Sequence, residues 1–335
     1  MAFLLLVVLS LGLCACDEAP EELSSSGDET DVSTDDRYDS KFPSDTPYLV
    51  GLTDQKTSRI VVYDLRNTDW TSEDAVVWEF SKAITRGAAG LKFRDNAFWG
   101  GEVVAVCGSG GVGLIDYEAK KVLWSEKENA PNNPHSVEVL PDGNIVCAGS
   151  TGNAVRIYAA TQKRSNYYFE VELTDAHGVL WDPELEVLWA LGGNQLRAYR
   201  VEGTLEEPVL TLEESMGGTM PTQWGHDLAP VYGDTNQLWC TSGSTVYRFD
   251  KTTKKFSQDF VGASVLNIAD VKGIGNFSDG TTIFTVPNGC LWEWNTDAVR
   301  YFRIHENGKR IDSSGRRINK SDAYYKCRVW CTDYQ

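Results

Sequence analysis

Positive charge is scarce in this chain: 31 Lys and Arg stand against 48 Asp and Glu, a formal net charge of −17 over 335 residues with a pI near 4.7. A surface that tracks a phosphate backbone needs a basic stripe to release counterions, so DNA and RNA are excluded as partners. A bilayer-spanning run of roughly 20 apolar residues is also missing; the apolar run at residues 1–13 (MAFLLLVVLSLGL) is too short. No HExxH, GxSxG or close pair of catalytic carboxylates offers a motif on which a reaction could be assigned. Histidine is rare, with four in the whole chain, and where those four fall therefore carries information.

The short apolar run reads as the core of a signal peptide. It ends in Leu13, Cys14, Ala15 and Cys16, which resembles the lipobox of bacterial lipoproteins. Cys16, with Ala15 before it, is the expected lipidation site; Cys14, after Leu11, Gly12 and Leu13, is the second choice, and a non-lipidated signal peptide is the alternative. No Lys or Arg precedes the run, a departure from the usual signal pattern. Residues 17–46 are rich in Ser, Asp and Glu with almost no large apolar side chain, so they cannot bury enough surface to offset their conformational entropy. The expected organisation is a signal peptide with a lipidated Cys at 1–16, an acidic disordered tether at 17–46, and a folded domain at 47–335. That domain is expected outside the cytoplasm, held to the cell membrane only by its lipid.

Within the folded region the sequence repeats. HSVEVLPDGNIVCAGSTGNAVRIY from His135, HGVLWDPELEVLWALGGNQLRAY from His177 and HDLAPVYGDTNQLWCTSGSTVYRFD from His226 share one order: polar lead residue, apolar strand, Pro/Asp/Gly turn, apolar strand, Gly/Ser/Asn turn, strand ending in an aromatic. A further copy starts at Lys272 (KGIGNFSDGTTIFTVPNGCLWEW), and another has Ala89 in the lead position. Lead residues are 46, 42, 49 and 46 apart, the period of a four-stranded propeller blade. Six outer-strand candidates follow the units: VVWEF, VLWS, YYFEVEL, PVLTLEE, KFSQDF and VRYFRI. The first unit lacks an innermost strand while the C-terminal AYYKCRVW has no unit of its own, and pairing the two would remove the exposed sheet edges. The expectation is an all-β, six-bladed β-propeller closed by the C-terminal strand, with an irregular sandwich as the alternative. Cys107, Cys147 and Cys240 fall on strands of different blades and read as core; Cys290 with Cys327 or Cys331 is the pairing left open.

The segments NPHSVEVLPDGNIVCAGSTGN, DAHGVLWDPELEVLWALG, GHDLAPV and YYKCRVW resemble signature segments of a bacterial family of secreted or lipoprotein β-propellers of unknown function, distantly similar to YVTN-repeat proteins. The resemblance covers about residues 47–331 and implies the fold, but no activity.

In a propeller, the connections that carry His135, His177, His226 and Lys272 share a face with the loops between second and third strands, here GSTGN, LGGN, TSGS and VPNG. The four lead residues are expected at one mouth of the channel, with Trp224 supplying a stacking face and Arg59, from the first blade's TDQKTSR, a charge for an acidic ligand. Against this stands a structural role, in which each His clamps its blade by a hydrogen bond to a Ser or Thr, as in WD40-type propellers. Three functions remain open: a monomeric module binding a small polar ligand or glycan; a lyase or hydrolase of acidic saccharides assisted by a divalent metal on His135, His177 and His226; and a protein-interaction platform.

Overall fold

A computed structural model describes residues 38–43, 46–163 and 167–335. The expected signal peptide, Cys16 and the expected tether up to residue 37 lie outside the described residues. From Tyr38 onward the chain already belongs to the folded unit, earlier than the expected start at 47: Phe42 is buried between Tyr48 and Tyr301, at ring distances of 4.9 and 5.5 Å, and Asp39 accepts a hydrogen bond from Arg317 at 2.9 Å. The stretch is also docked by its backbone, where Asp39 N donates to Arg66 O at 2.8 Å and Tyr38 bridges to Asn67.

The strands form six antiparallel sheets arranged as a β-propeller. Blades two to five run in chain order from their innermost strands, Ala88–Asn96, Pro134–Val139, Ala176–Asp182 and Leu228–Pro230. Blade six begins at Gly273–Asn276. Blade one takes its innermost strand, Tyr324–Val329, from the C-terminus; it pairs with Leu49–Asp54 from Val50↔Val329 to Asp54↔Tyr324. The ring is therefore closed by the C-terminal strand, as the orphan AYYKCRVW and the incomplete first unit require.

Each strand pair is set by its turn. In blade three, Gly143 takes φ +91° and the Asp142 carboxylate accepts from the Asn144 amide at 2.9 Å, so the chain reverses within three residues. The core is divided into six clusters, one between each pair of neighbouring blades: Val103, Cys107 and Trp124 of blade two meet Val137, Ile145 and Cys147 of blade three, and the pattern recurs around the ring. All six cysteines among the described residues are free, so Cys290 pairs with neither Cys327 nor Cys331.

Blade six departs from the sequence reading. VRYFRI lies in the third strand, Ala298–Ile304, and the outer strand is Ile311–Ile318. The segment LWEW, which looks like a strand by its apolar content, instead belongs to the long connection between Thr282–Thr285 and Ala298–Ile304. That connection carries Trp292 and Trp294 to the mouth. Beyond the closing strand the tail crosses the opposite end of the channel: the Asp333 carbonyl accepts from Arg94 of blade two and Tyr232 of blade five, and Tyr334 Oη donates to Val139 O of blade three at 2.7 Å. The guanidinium of Arg94 also lies 4.6 Å from the Tyr334 ring centre.

Candidate functional site

The innermost strands are entered through one recurring turn. Gly87, Asn133, Asp175, Trp224 and Asp270 all have φ between +51° and +61°, and each stands two residues before Ala89, His135, His177, His226 or Lys272. Left-handed backbone suits Gly, Asn and Asp, which fill four of the five places. In blades two, three and four the strand pairing then skips from Ala88 to Gly90, from Pro134 to Ser136 and from Ala176 to Gly178. Ala89, His135 and His177 are thus the extra residues of β-bulges, a device that re-aims a side chain. The sixth place in the ring falls to Tyr325 of the closing strand, where the pairing also shifts.

The three histidines and Lys272 are brought together. The His135 and His177 ring centres are 4.4 Å apart, those of His177 and His226 4.7 Å, and Lys272 Nζ lies 2.7 Å from His226 Nε2. Nδ1 of His135 is 2.8 Å from Asn133 O and 3.2 Å from Ser150 Oγ; Nδ1 of His177 is 2.9 Å from Asp175 O. One ring nitrogen therefore clamps the connection, and Nε2 of both residues has no hydrogen-bond partner among the described residues. His226 differs. Its Nε2 accepts from the Lys272 ammonium, which leaves the hydrogen on Nδ1, a buried atom without a partner. Burial first, and then the charges of His177 and Lys326, push His135 down to about 3; burial, His177 and Lys272 hold His226 far below an ordinary imidazole. Both are neutral at pH 7. Burial also lowers Lys272, against the opposing pull of Asp270 at 3.3 Å.

The mouth opens into a cavity of about 480 Å³ walled by His135, His226, Lys272, Tyr325 and Gln55, with Trp292 and Trp294 on one side. The two indoles are 5.6 Å apart and tilted by 32°, and Trp294 Nε1 donates to Gln55 Oε1 at 3.0 Å. They remain 46% and 45% exposed, so their faces are available.

Beneath the mouth the channel is charged. Glu138 accepts from Lys92 at 2.9 Å and from Arg94 at 2.9 and 3.0 Å. Asp227 takes both ends of the Arg328 guanidinium at 2.6 and 2.5 Å, and Lys326 at 3.1 Å. All six are buried, and four cations face two carboxylates. Burial pushes Lys92 down to about 8, with Glu138 pulling the other way, so it stays mostly protonated at pH 7. The rim carboxylates Asp175 and Asp270 are 34% and 56% exposed and screened by water.

Trp224 and Arg59 are not part of this cavity. Trp224 stands on the rim, 67% exposed, its ring against Gly243. Arg59 is held by Asp54 at 3.3 Å, Glu79 at 2.5 Å and Asp322 at 2.9 Å, so its charge is already matched. A divalent metal on His135, His177 and His226 does not fit the residues present. Among the described residues no three His, Cys, Asp or Glu are placed to hold one, and His226 Nε2 is engaged by a cation that a metal would repel. Sequence reasoning missed Tyr325, Trp292, Trp294 and the six channel ions. The signal for the ions was present: Lys92, Glu138, Lys326 and Arg328 interrupt strands that are otherwise apolar.

The chain is similar in fold to a protein of unknown function from Bacteroides caccae, with TM-score 0.53 and 13% identity over 84% of this chain and 98% of that one. It is similar also to a chain of a nidogen/laminin complex, with TM-score 0.55 and 10% identity over 86% and 99%. Streptogramin B lyase overlaps it less well, at TM-score 0.45 and 13% identity over 69% of this chain and 70% of that one. At these identities the likeness concerns fold alone. No curated protein matches the sequence. Residues 21–321 match the family described as "Family of unknown function (DUF6528)", and the chain belongs to that family.

Proposed function

We propose that the protein is a binding module for a small acidic saccharide, held at the mouth ringed by His135, His226, Lys272 and Tyr325. The observation that carries this reading is the buried excess of cations under that mouth. Four cations against two carboxylates leave a local field that an anionic ligand group would relieve, with Lys272, paired to Asp270, in the cavity wall above them. Trp292 and Trp294 supply the flat apolar faces on which a sugar ring stacks. The net charge of −17 opposes the approach of an anion, but beyond the Debye length of about 8 Å at physiological salt that field is screened.

Titration calorimetry with galacturonate and with galactose tests the reading. Galacturonate should bind at least ten times more tightly, and Lys272→Gln should remove most of the difference. Equal affinities, or no heat with either sugar, would overturn it. In the same reading the module is a lipoprotein anchored through Cys16 outside the cytoplasmic membrane. A fatty-acid analogue should then label the wild type and fail to label Cys16→Ser; label lost only in Cys14→Ser would move the anchor.

A further inference from the structure

Resting on the acidic-saccharide reading, we infer that the occupant is a stretch of an acidic polysaccharide chain running across the mouth, with at least one further sugar-binding position beyond the ring of lead residues. A second cavity of about 510 Å³ adjoins the first, and the two share the wall formed by Gly108, Ser109, Asn133 and Pro134. Each alone is within the range of roughly 300–1,000 Å³ typical of ligand sites. Two adjoining cavities with a common wall suit a linear chain of sugars better than one compact ligand.

The groups lining the two cavities meet a polymer's needs. In the first, Trp292 and Trp294, with ring centres 5.6 Å apart, offer a platform that binds through stacking, and the Lys272 ammonium lines the same space. The second, far cavity is walled by Lys127 and Thr151, both exposed, together with Pro131 and Asn132. A carboxylate-bearing sugar in the first cavity would be joined to another whose charge meets Lys127 in the second. The backbone of this far wall is tied together: Gly152 N donates to Asn132 O at 3.1 Å and Ser150 N to Asn133 O at 3.0 Å. A site with preformed walls loses little order on binding.

Calorimetry with galacturonate oligomers of one, two and four residues separates this inference from the reading beneath it. Affinity should rise at least tenfold from monomer to tetramer. Thr151→Trp, which fills the far cavity from an exposed loop, should abolish that rise while leaving monomer binding and the melting temperature unchanged. Monomer binding with no gain on lengthening would overturn the polymer inference and leave the acidic-saccharide reading standing, whereas no binding by any oligomer would overturn both. An oligoglutamate of equal charge that binds as tightly as the tetramer would also overturn the inference, because the two cavities would then be reading charge in a peptide and not a sugar chain.

Discussion

Removing a carboxylate from the channel should hurt more than removing a cation. Asp227 is fully buried and neutralises Arg328 through two hydrogen bonds, Lys326 through a third, while also accepting from the Ile274 amide at 3.0 Å. Asp227→Asn keeps the shape and raises the imbalance of buried charge from two to three. Breaking a buried pair from one side costs about 3–5 kcal/mol, because the partner charge is left uncompensated. Lys326→Met lowers the imbalance to one, and Asp227 keeps both bonds to Arg328. Its cost is the unmet bonding of the His177 and His226 carbonyls, about 1–3 kcal/mol. For a domain of this size each kcal/mol moves the midpoint by about 2–4 °C, so Asp227→Asn should melt roughly 6–20 °C below wild type and Lys326→Met roughly half as far. Scanning calorimetry of the two variants at pH 7 measures the difference. If Lys326→Met melts at or below Asp227→Asn, the channel carries no excess of positive charge, and the electrostatic argument for an acidic ligand falls with it.

Two other outcomes follow from the geometry. His135 has a folded pKa near 3 against 6.5 unfolded, so the unfolded chain binds more protons between those values; stability should fall as pH drops from 6.5 towards 3, and His135→Asn should flatten that part of the profile, an unchanged slope counting against a neutral, buried imidazole. Deleting residues 321–335 removes the innermost strand of blade one and the plug at the far mouth, and should abolish the cooperative melt; a truncated protein that melts near the wild-type temperature would show that the C-terminal strand is dispensable for closure.

The architecture was legible because propeller repeats write themselves in turns and periodicity, and those depend on local backbone preference. Gly, Asn and Asp before the lead residues, and the Asp-Gly reversals between strands, fix the register of each blade independently of the others. The convergence of His135, His177, His226 and Lys272 was legible for the same reason: one register repeated around a ring. What local preference cannot reveal is where a side chain goes after its backbone is set. Arg59 shares its sequence neighbourhood with Gln55, yet only Gln55 reaches the cavity, because Glu79 and Asp322 from distant segments, together with the nearby Asp54, draw the guanidinium away. LWEW has the content of a strand, but blade six already has its third strand in Ala298–Ile304, and the segment is displaced into a connection. The pairing of the channel ions was hidden by the same limit: Glu138 is met by side chains of blade two, and Asp227 of blade five by side chains of the closing strand in blade one.

Ring closure by the last strand also sets a timetable. Leu49–Asp54 emerges from the ribosome about 270 residues before its partner, Tyr324–Val329. Synthesis at about 5–20 residues per second leaves that first sheet without its inner neighbour for tens of seconds. During this interval blades two to six can assemble in order, each on the one before, while blade one keeps an open edge able to pair with another nascent chain. The final contact is also the one of greatest separation along the sequence, so loop-closure entropy falls on the last step and slows it.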